Sequence, residues 1–117
     1  MRARELGINV GTGTPGPLDA ITDVAGVRVN SVTLIEGEDV RTGVTVVVPS
    51  DADVGVEQLF AGCHTLNGNG ELTGLEWVRE SGRLTTPIAI TNTHSVGVVR
   101  DALVAASVRG KADDRFS

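Results

Sequence analysis

Tyrosine is absent from these 117 residues, and Trp77 with two Phe makes up the entire aromatic content. Any core must therefore be assembled from Val, Leu, Ile and Ala, without the large area that rings bury. The single cysteine, Cys63, excludes an internal disulfide, and the pair Cys63-His64 is too small a ligand set for zinc. Long apolar runs are missing as well. None approaches the ~20 residues that cross a bilayer. The opening Met1-Arg2-Ala3-Arg4-Glu5 is not followed by the apolar stretch of a secretory signal. Positive charge is thin, with 10 scattered Lys and Arg against 15 Asp and Glu and a formal net charge of −5. A groove that follows a phosphate backbone would cluster its cations. The expectation is a soluble, cytoplasmic protein with neither nucleic acid nor membrane as partner.

Glycine is what the chain has in excess, 15 residues where the norm is ~7%. Tight turns and close backbone approaches follow from that. Hydrophobic residues at 40% and charged ones at 21% describe a globular chain. Its length suits one domain, or a piece of one, covering residues 1–117. Residues 9–18 form a loop punctuated by Gly and Pro; Gly11-Thr12-Gly13 follows no strand, and Pro15 and Pro17 bar a helix there, so it is not a dinucleotide fingerprint. Val24–Ile35 alternates as one or two strands, and Val44, Val46 and Val48 alternate up to Pro49. The acidic link Glu36-Gly37-Glu38-Asp39 makes these a hairpin.

Further along, Gln58–Thr65 reads as a short buried strand. Glu71–Ser81 carries Leu72, Leu75 and Val78 at helical spacing, with Gly82 as C-cap. Pro87–Thr91 reads as a buried strand, and Ser95–Val108 as a helix with Val96, Val99, Leu103 and Ala106 on one face, ended by Arg109 and Gly110. Strands come first, then helix, strand, helix, an α+β or layered α/β order. After the polar stretch Lys111–Arg115, Phe116-Ser117 resembles the start of a new apolar element, so part of a core is expected to lie elsewhere.

Two strand-to-helix junctions carry the chemistry. The first, Leu66–Gly74, holds two Asn-Gly steps followed by Glu71. Asn67 and Asn69 suit left-handed turn geometry and nothing more, or their amides and the N–H groups of Gly68 and Gly70 line a pocket and donate to a carbonyl oxygen. Glu71 is either a favourable carboxylate in a first helical turn or a partner for a substrate ammonium. The second junction is Thr91-Asn92-Thr93-His94-Ser95. Ser95 is most simply an N-cap, Asn92 a supporting group, and His94 a general base or a structural hydrogen-bonder. Cys63 reads as a small buried residue and Trp77 as core or interface.

With these motifs in order, the chain resembles the N-terminal part of the DmpA-type aminopeptidases, the L-aminopeptidase/D-esterase or P1 peptidase family. The resemblance is carried by Arg2–Ile8, Gly13–Val27, Arg41–Thr45, Leu66–Gly74, Glu80–Gly82 and Ile90–Ala102. It implies an N-terminal-nucleophile-like αββα sandwich, related in fold to the ornithine acetyltransferases, of which this chain is only a part. It further implies a precursor that cuts itself before a Ser or Thr, no metal or organic cofactor, and an oligomer of cleaved heterodimers acting on small peptides, amides or esters with a free amino terminus.

The family's nucleophile has no counterpart in this chain. No Gly-Ser step occurs, and the Gly-Thr steps Gly11-Thr12 and Gly13-Thr14 lie in the N-terminal loop. The expected partner is therefore the remainder of the same precursor, and the acidic residue that binds the substrate amine is placed just past Ser117. Asn67, Gly68, Asn69, Glu71, Asn92, His94 and Ser95 remain as site-lining or site-supporting groups, and this chain alone is expected to be inactive. An acyltransferase of the ornithine acetyltransferase type, or a binding domain without catalysis, are the alternatives.

Overall fold

The computed structural model describes residues 2–113. A 3₁₀ turn at Ala3–Leu6 opens the chain and ends at Gly7, whose φ of 75° lies in the left-handed region. The loop that follows is held by short polar contacts. Asp23 accepts the backbone N–H of Leu18 at 2.9 Å and of Ala20 at 3.2 Å, and Arg4 pairs with Asp19 at 2.9 Å. Gly16 packs so closely on the Asp23 carboxylate that a Cβ would meet it at 2.6 Å.

The hairpin expected from the alternating valines is present. Strand β1 (Arg28–Glu36) pairs antiparallel with β2 (Val40–Val48) over nine residue pairs, from Arg28 opposite Val48 to Glu36 opposite Val40. The Arg41 guanidinium laces the turn by donating to the carbonyls of Gly37 and Val40. Strand β5 (Ile88–Ile90) joins the other edge of β2, with Thr45 opposite Ile90 and Val47 opposite Ile88. The sheet order is β1-β2-β5. Since directly paired residues share a face, Val29, Ile35, Val47, Ile88 and Ile90 lie on one side, and Val32, Leu34, Val44, Val46 and Val48 on the other. A sheet apolar on both faces is an inner layer.

The segment expected as a buried strand at Gln58–Thr65 is reduced to β3 (Leu59–Phe60), with Phe60 87% exposed. It pairs with β4 (Arg83–Leu84), and the Arg83 guanidinium sits 4.3 Å over the Phe60 ring. Between them runs α1 (Leu75–Ser81), shorter than the pattern of Leu72, Leu75 and Val78 predicts. Gly74 enters it at φ 90° and Gly82 ends it at φ 65°, its N–H bonding the Val78 carbonyl at 2.9 Å. The C-cap is as expected. The helix start is later than expected because the left-handed Gly74 interrupts the helical run.

Helix α2 (Val96–Asp113) follows a 3₁₀ turn at Thr93–Ser95. It passes through Gly110, where an end was expected, and takes in 111–113, expected as linker. One glycine costs a helix only about 1 kcal/mol, which is not enough to stop it. Asp114–Ser117, including the apolar step at Phe116, lie outside the described residues.

Very little of this is enclosed. Among the described residues Val54 alone is a buried hydrophobic, at 5% exposure. The two strands predicted to be buried are not: Ile88 and Ile90 are exposed, with Ala89 half-buried between them. Cys63 is exposed too, and Trp77 is half exposed. The radius of gyration is 16.8 Å, against ~13 Å for a compact chain of this length. The elements are formed, but the layers that would cover them are not supplied by these residues.

Candidate functional site

The two junctions prove physically different. At the first, none of Asn67, Gly68, Asn69 and Gly70 has a positive φ; outside glycine, only Asp19 does among the described residues. The Asn-Gly steps are therefore not left-handed turns. Asn67 instead accepts the Asn69 backbone N–H at 3.0 Å, a local turn closed by its own side chain. Glu71 was placed by pattern in a first helical turn, but it lies before Gly74 and outside α1, where Glu76 holds that position. Freed from the helix, Glu71 lines an open groove. The loop is tied to α1 by Arg79, which donates to the Thr65 hydroxyl at 2.8 Å and pairs with Glu76.

At the second junction the polar groups face inward upon the sheet. The Thr91 hydroxyl donates to the Gly43 carbonyl at 2.8 Å. Beside it, the Asn92 amide donates to the Thr42 hydroxyl at 2.6 Å and to the Ser95 hydroxyl at 3.0 Å. Backbone pairing of β2 with β5 reaches only Thr45 and Ile90. Thr91 and Asn92 thus continue the attachment with side chains after the two strands part. The Ser95 N–H bonds the Asn92 carbonyl at 3.0 Å, so Asn92 rather than Ser95 occupies the position before the helical run. This corrects the reading of Ser95 as N-cap. His94 is exposed and has no hydrogen-bond partner among the described residues.

Gly43 makes the second junction feasible, and no sequence motif pointed to it. A Cβ there would stand 2.2 Å from the Val32 carbonyl oxygen, so only glycine fits at that point of β2. The groove holds about 1050 Å³ and runs between α1, β5 and α2. Its apolar lining includes Trp77, Val78, Leu84, Ile88, Val99 and Leu103, with Glu71 and Arg100 among its charged groups. Of the residues singled out from the sequence only Glu71 borders it; Asn67, Gly68, Asn69, Asn92, His94 and Ser95 do not. Among the described residues no group of three or more His, Cys, Asp or Glu is placed to hold a metal ion. Nor is any helix long and apolar enough to cross a membrane.

The model of peptidase family S58 matches residues 19–116. The chain belongs to this family. Over 111 residues it is 50% identical to the β-peptidyl aminopeptidase BapA of Sphingosinicella microcystinivorans, an alignment covering 88% of this chain and 28% of that protein. The structure is similar to a β-aminopeptidase from Burkholderia sp., with TM-score 0.85, 59% identity, and coverage of 97% of this chain and 33% of that one. It is also similar to the L-aminopeptidase D-Ala-esterase/amidase of Ochrobactrum anthropi, described as a prototype for the serine aminopeptidases and a new variant among the Ntn hydrolase fold. There the TM-score is 0.80 at 38% identity, covering 99% of this chain and 34% of the other. The α+β class and the DmpA-type resemblance agree with these S58 relatives. The chain spans 28% of the length of the curated relatives it matches.

Proposed function

We propose that this chain is the N-terminal portion of a self-cleaving S58 aminopeptidase that removes N-terminal residues from small peptides, amides or esters. The observation that carries the reading is the 50% identity with a β-peptidyl aminopeptidase over 88% of this chain but only 28% of that protein. The identity of 59% with a second β-aminopeptidase, against 38% with the L-aminopeptidase, favours substrates that begin with a β-amino acid.

In this reading the nucleophile is a Ser or Thr freed by cleavage of the precursor, in polypeptide beyond the residues given. A freed α-amine has a pKa of about 7.7–8.0 and serves the adjacent hydroxyl as general base. The hydroxyl adds to the scissile carbonyl, and N–H donors stabilise the oxyanion that forms. The amine then leaves, and water releases the acyl group. Asn67, Asn69 and the neighbouring Gly N–H groups are the candidates here for such donors, and Glu71 for contact with the substrate ammonium. Asn92 and Ser95 support the site by fixing the start of α2. A homo-oligomer of cleaved heterodimers and a cytoplasmic home belong to the same proposal.

The test is direct. Purified 117-residue chain should hydrolyse neither β-alanyl nor α-aminoacyl p-nitroanilide. The complete reading frame should split into two pieces, by denaturing mass spectrometry, and turn over the β-alanyl substrate faster. Robust turnover by the short chain alone overturns the proposal.

A further inference from the structure

We propose that the groove between α1, β5 and α2 is the seat of the longer polypeptide's remaining part, the portion that the relatives have beyond the region matched here, and not of a second copy of this chain. This rests on the reading of the chain as one portion of a longer hydrolase, and adds to it where the two portions meet.

The first observation is the character of α2. Val96, Val99 and Leu103 face the groove and are half-buried, while Val98 is 75% and Val108 63% exposed on other faces. A helix apolar all round belongs in the interior of a larger body or in a membrane. No helix among the described residues is long and apolar enough for the second option. The helix therefore awaits protein on more than one side.

The second observation is the amount of surface. The chain exposes 9452 Å² at a mass of 12.1 kDa, where a folded monomer of that mass would expose roughly 6,000 Å². The excess, on the order of 3,000 Å², is several times the ~800 Å² per partner that a standard stable interface covers. A second copy docked through one such interface would leave most of the excess in water. A covering polypeptide two to three times this chain's length does not have that limit, and the relatives possess one, since this chain matches only 28–34% of them. The groove is where such cover would bury most. Its 1050 Å³ is walled by Trp77, Leu84, Ile88 and the α2 face, with acidic Glu71 and basic Arg100 both present, so neither sign of charge selects the occupant.

The experiment co-expresses this chain with the part of the Burkholderia sp. β-aminopeptidase outside its matched third. A 1:1 complex should form by native mass spectrometry, with Trp77 emission shifted to the blue. Amide exchange in Leu75–Ser81 and Val96–Arg109 should slow at least tenfold. Leu103→Glu, and Val99→Glu one turn earlier, should each abolish the complex, while Val10→Glu in the N-terminal loop should not. Two results overturn the proposal: a homodimer of this chain that protects both helices without the partner, and a complex that leaves both helices unprotected. A complex that protects the helices but splits no aminoacyl p-nitroanilide upholds this docking surface and overturns the functional reading instead.

Discussion

The loop at Asn67–Glu71 and the turn at Asn92–Ser95 look alike as strings of small polar residues ahead of a helix, yet the fold uses them in opposite ways. At the second, the side chains bond back to the sheet: Thr91 to the Gly43 carbonyl, Asn92 to the Thr42 and Ser95 hydroxyls. At the first, one local bond closes a turn within the loop itself, between the Asn67 side chain and the Asn69 N–H. Bound polar groups hold a frame in place, while groups with capacity left over are available to a ligand. The contrast separates a scaffold junction from a site junction inside one motif class.

The strongest way to break that contrast is at Gly43. Gly43→Ala in the complete enzyme places a Cβ against the Val32 carbonyl oxygen and should cost about 2–3 kcal/mol of stability, by the usual penalty for overpacking. Urea denaturation checks it; an unchanged midpoint would mean that β1 and β2 can separate there without penalty. Next in size is Asn92→Ala, which removes both amide bonds and should cost about 1–2 kcal/mol. Activity should fall only in step with stability, and Thr42→Ser, which keeps the hydroxyl, should behave as wild type.

Asn67→Ala should show the reverse signature. It loses one exposed turn bond, worth about 0.5–1 kcal/mol, while activity drops roughly tenfold or more if the amide donates to an oxyanion. Equal losses in thermal melts and in kcat/KM would return Asn67 to a turn-only role. The smallest effect is expected from His94→Ala. With His94 exposed and without a hydrogen-bond partner among the described residues, the change should stay within about 0.5 kcal/mol. The pH–rate profile should keep its shape; a lost limb would restore His94 as a proton-transfer group.

Legibility differed by region for physical reasons. The β1–β2 hairpin was readable because alternating Val and Thr with an acidic Gly-containing link satisfy strand and turn together at short range. The C-cap at Gly82 was readable for the same local reason. Helix α1 was predicted too early, since Leu72 continues the apolar spacing but Gly74 takes a left-handed conformation that no spacing reveals. Gln58–Thr65 and Pro87–Thr91 were read as buried because they are apolar. Burial, however, depends on what lies above a strand, and here nothing in the described chain covers Phe60, Ile88 or Ile90. The same reason undid the reading of Cys63 as buried. At the site, Asn92 and Ser95 were found from residue type, but their bond to Thr42 joins positions 50 residues apart and has no local trace.

Residue order alone determined the local architecture: an antiparallel hairpin, a helix closed by Gly82, a long helix after Ser95, and the motif set that marks the S58 family. Each depends on interactions within a few residues, or on a pattern that survives without coordinates. Tertiary structure decided which polar groups are satisfied and which remain free. It assigned Gly43 its role, put Glu71 on the groove, and left two faces of a sheet and most of a helix bare. Those outcomes depend on which distant segments meet, and hydrophobicity states only that a side chain should be covered, never by what.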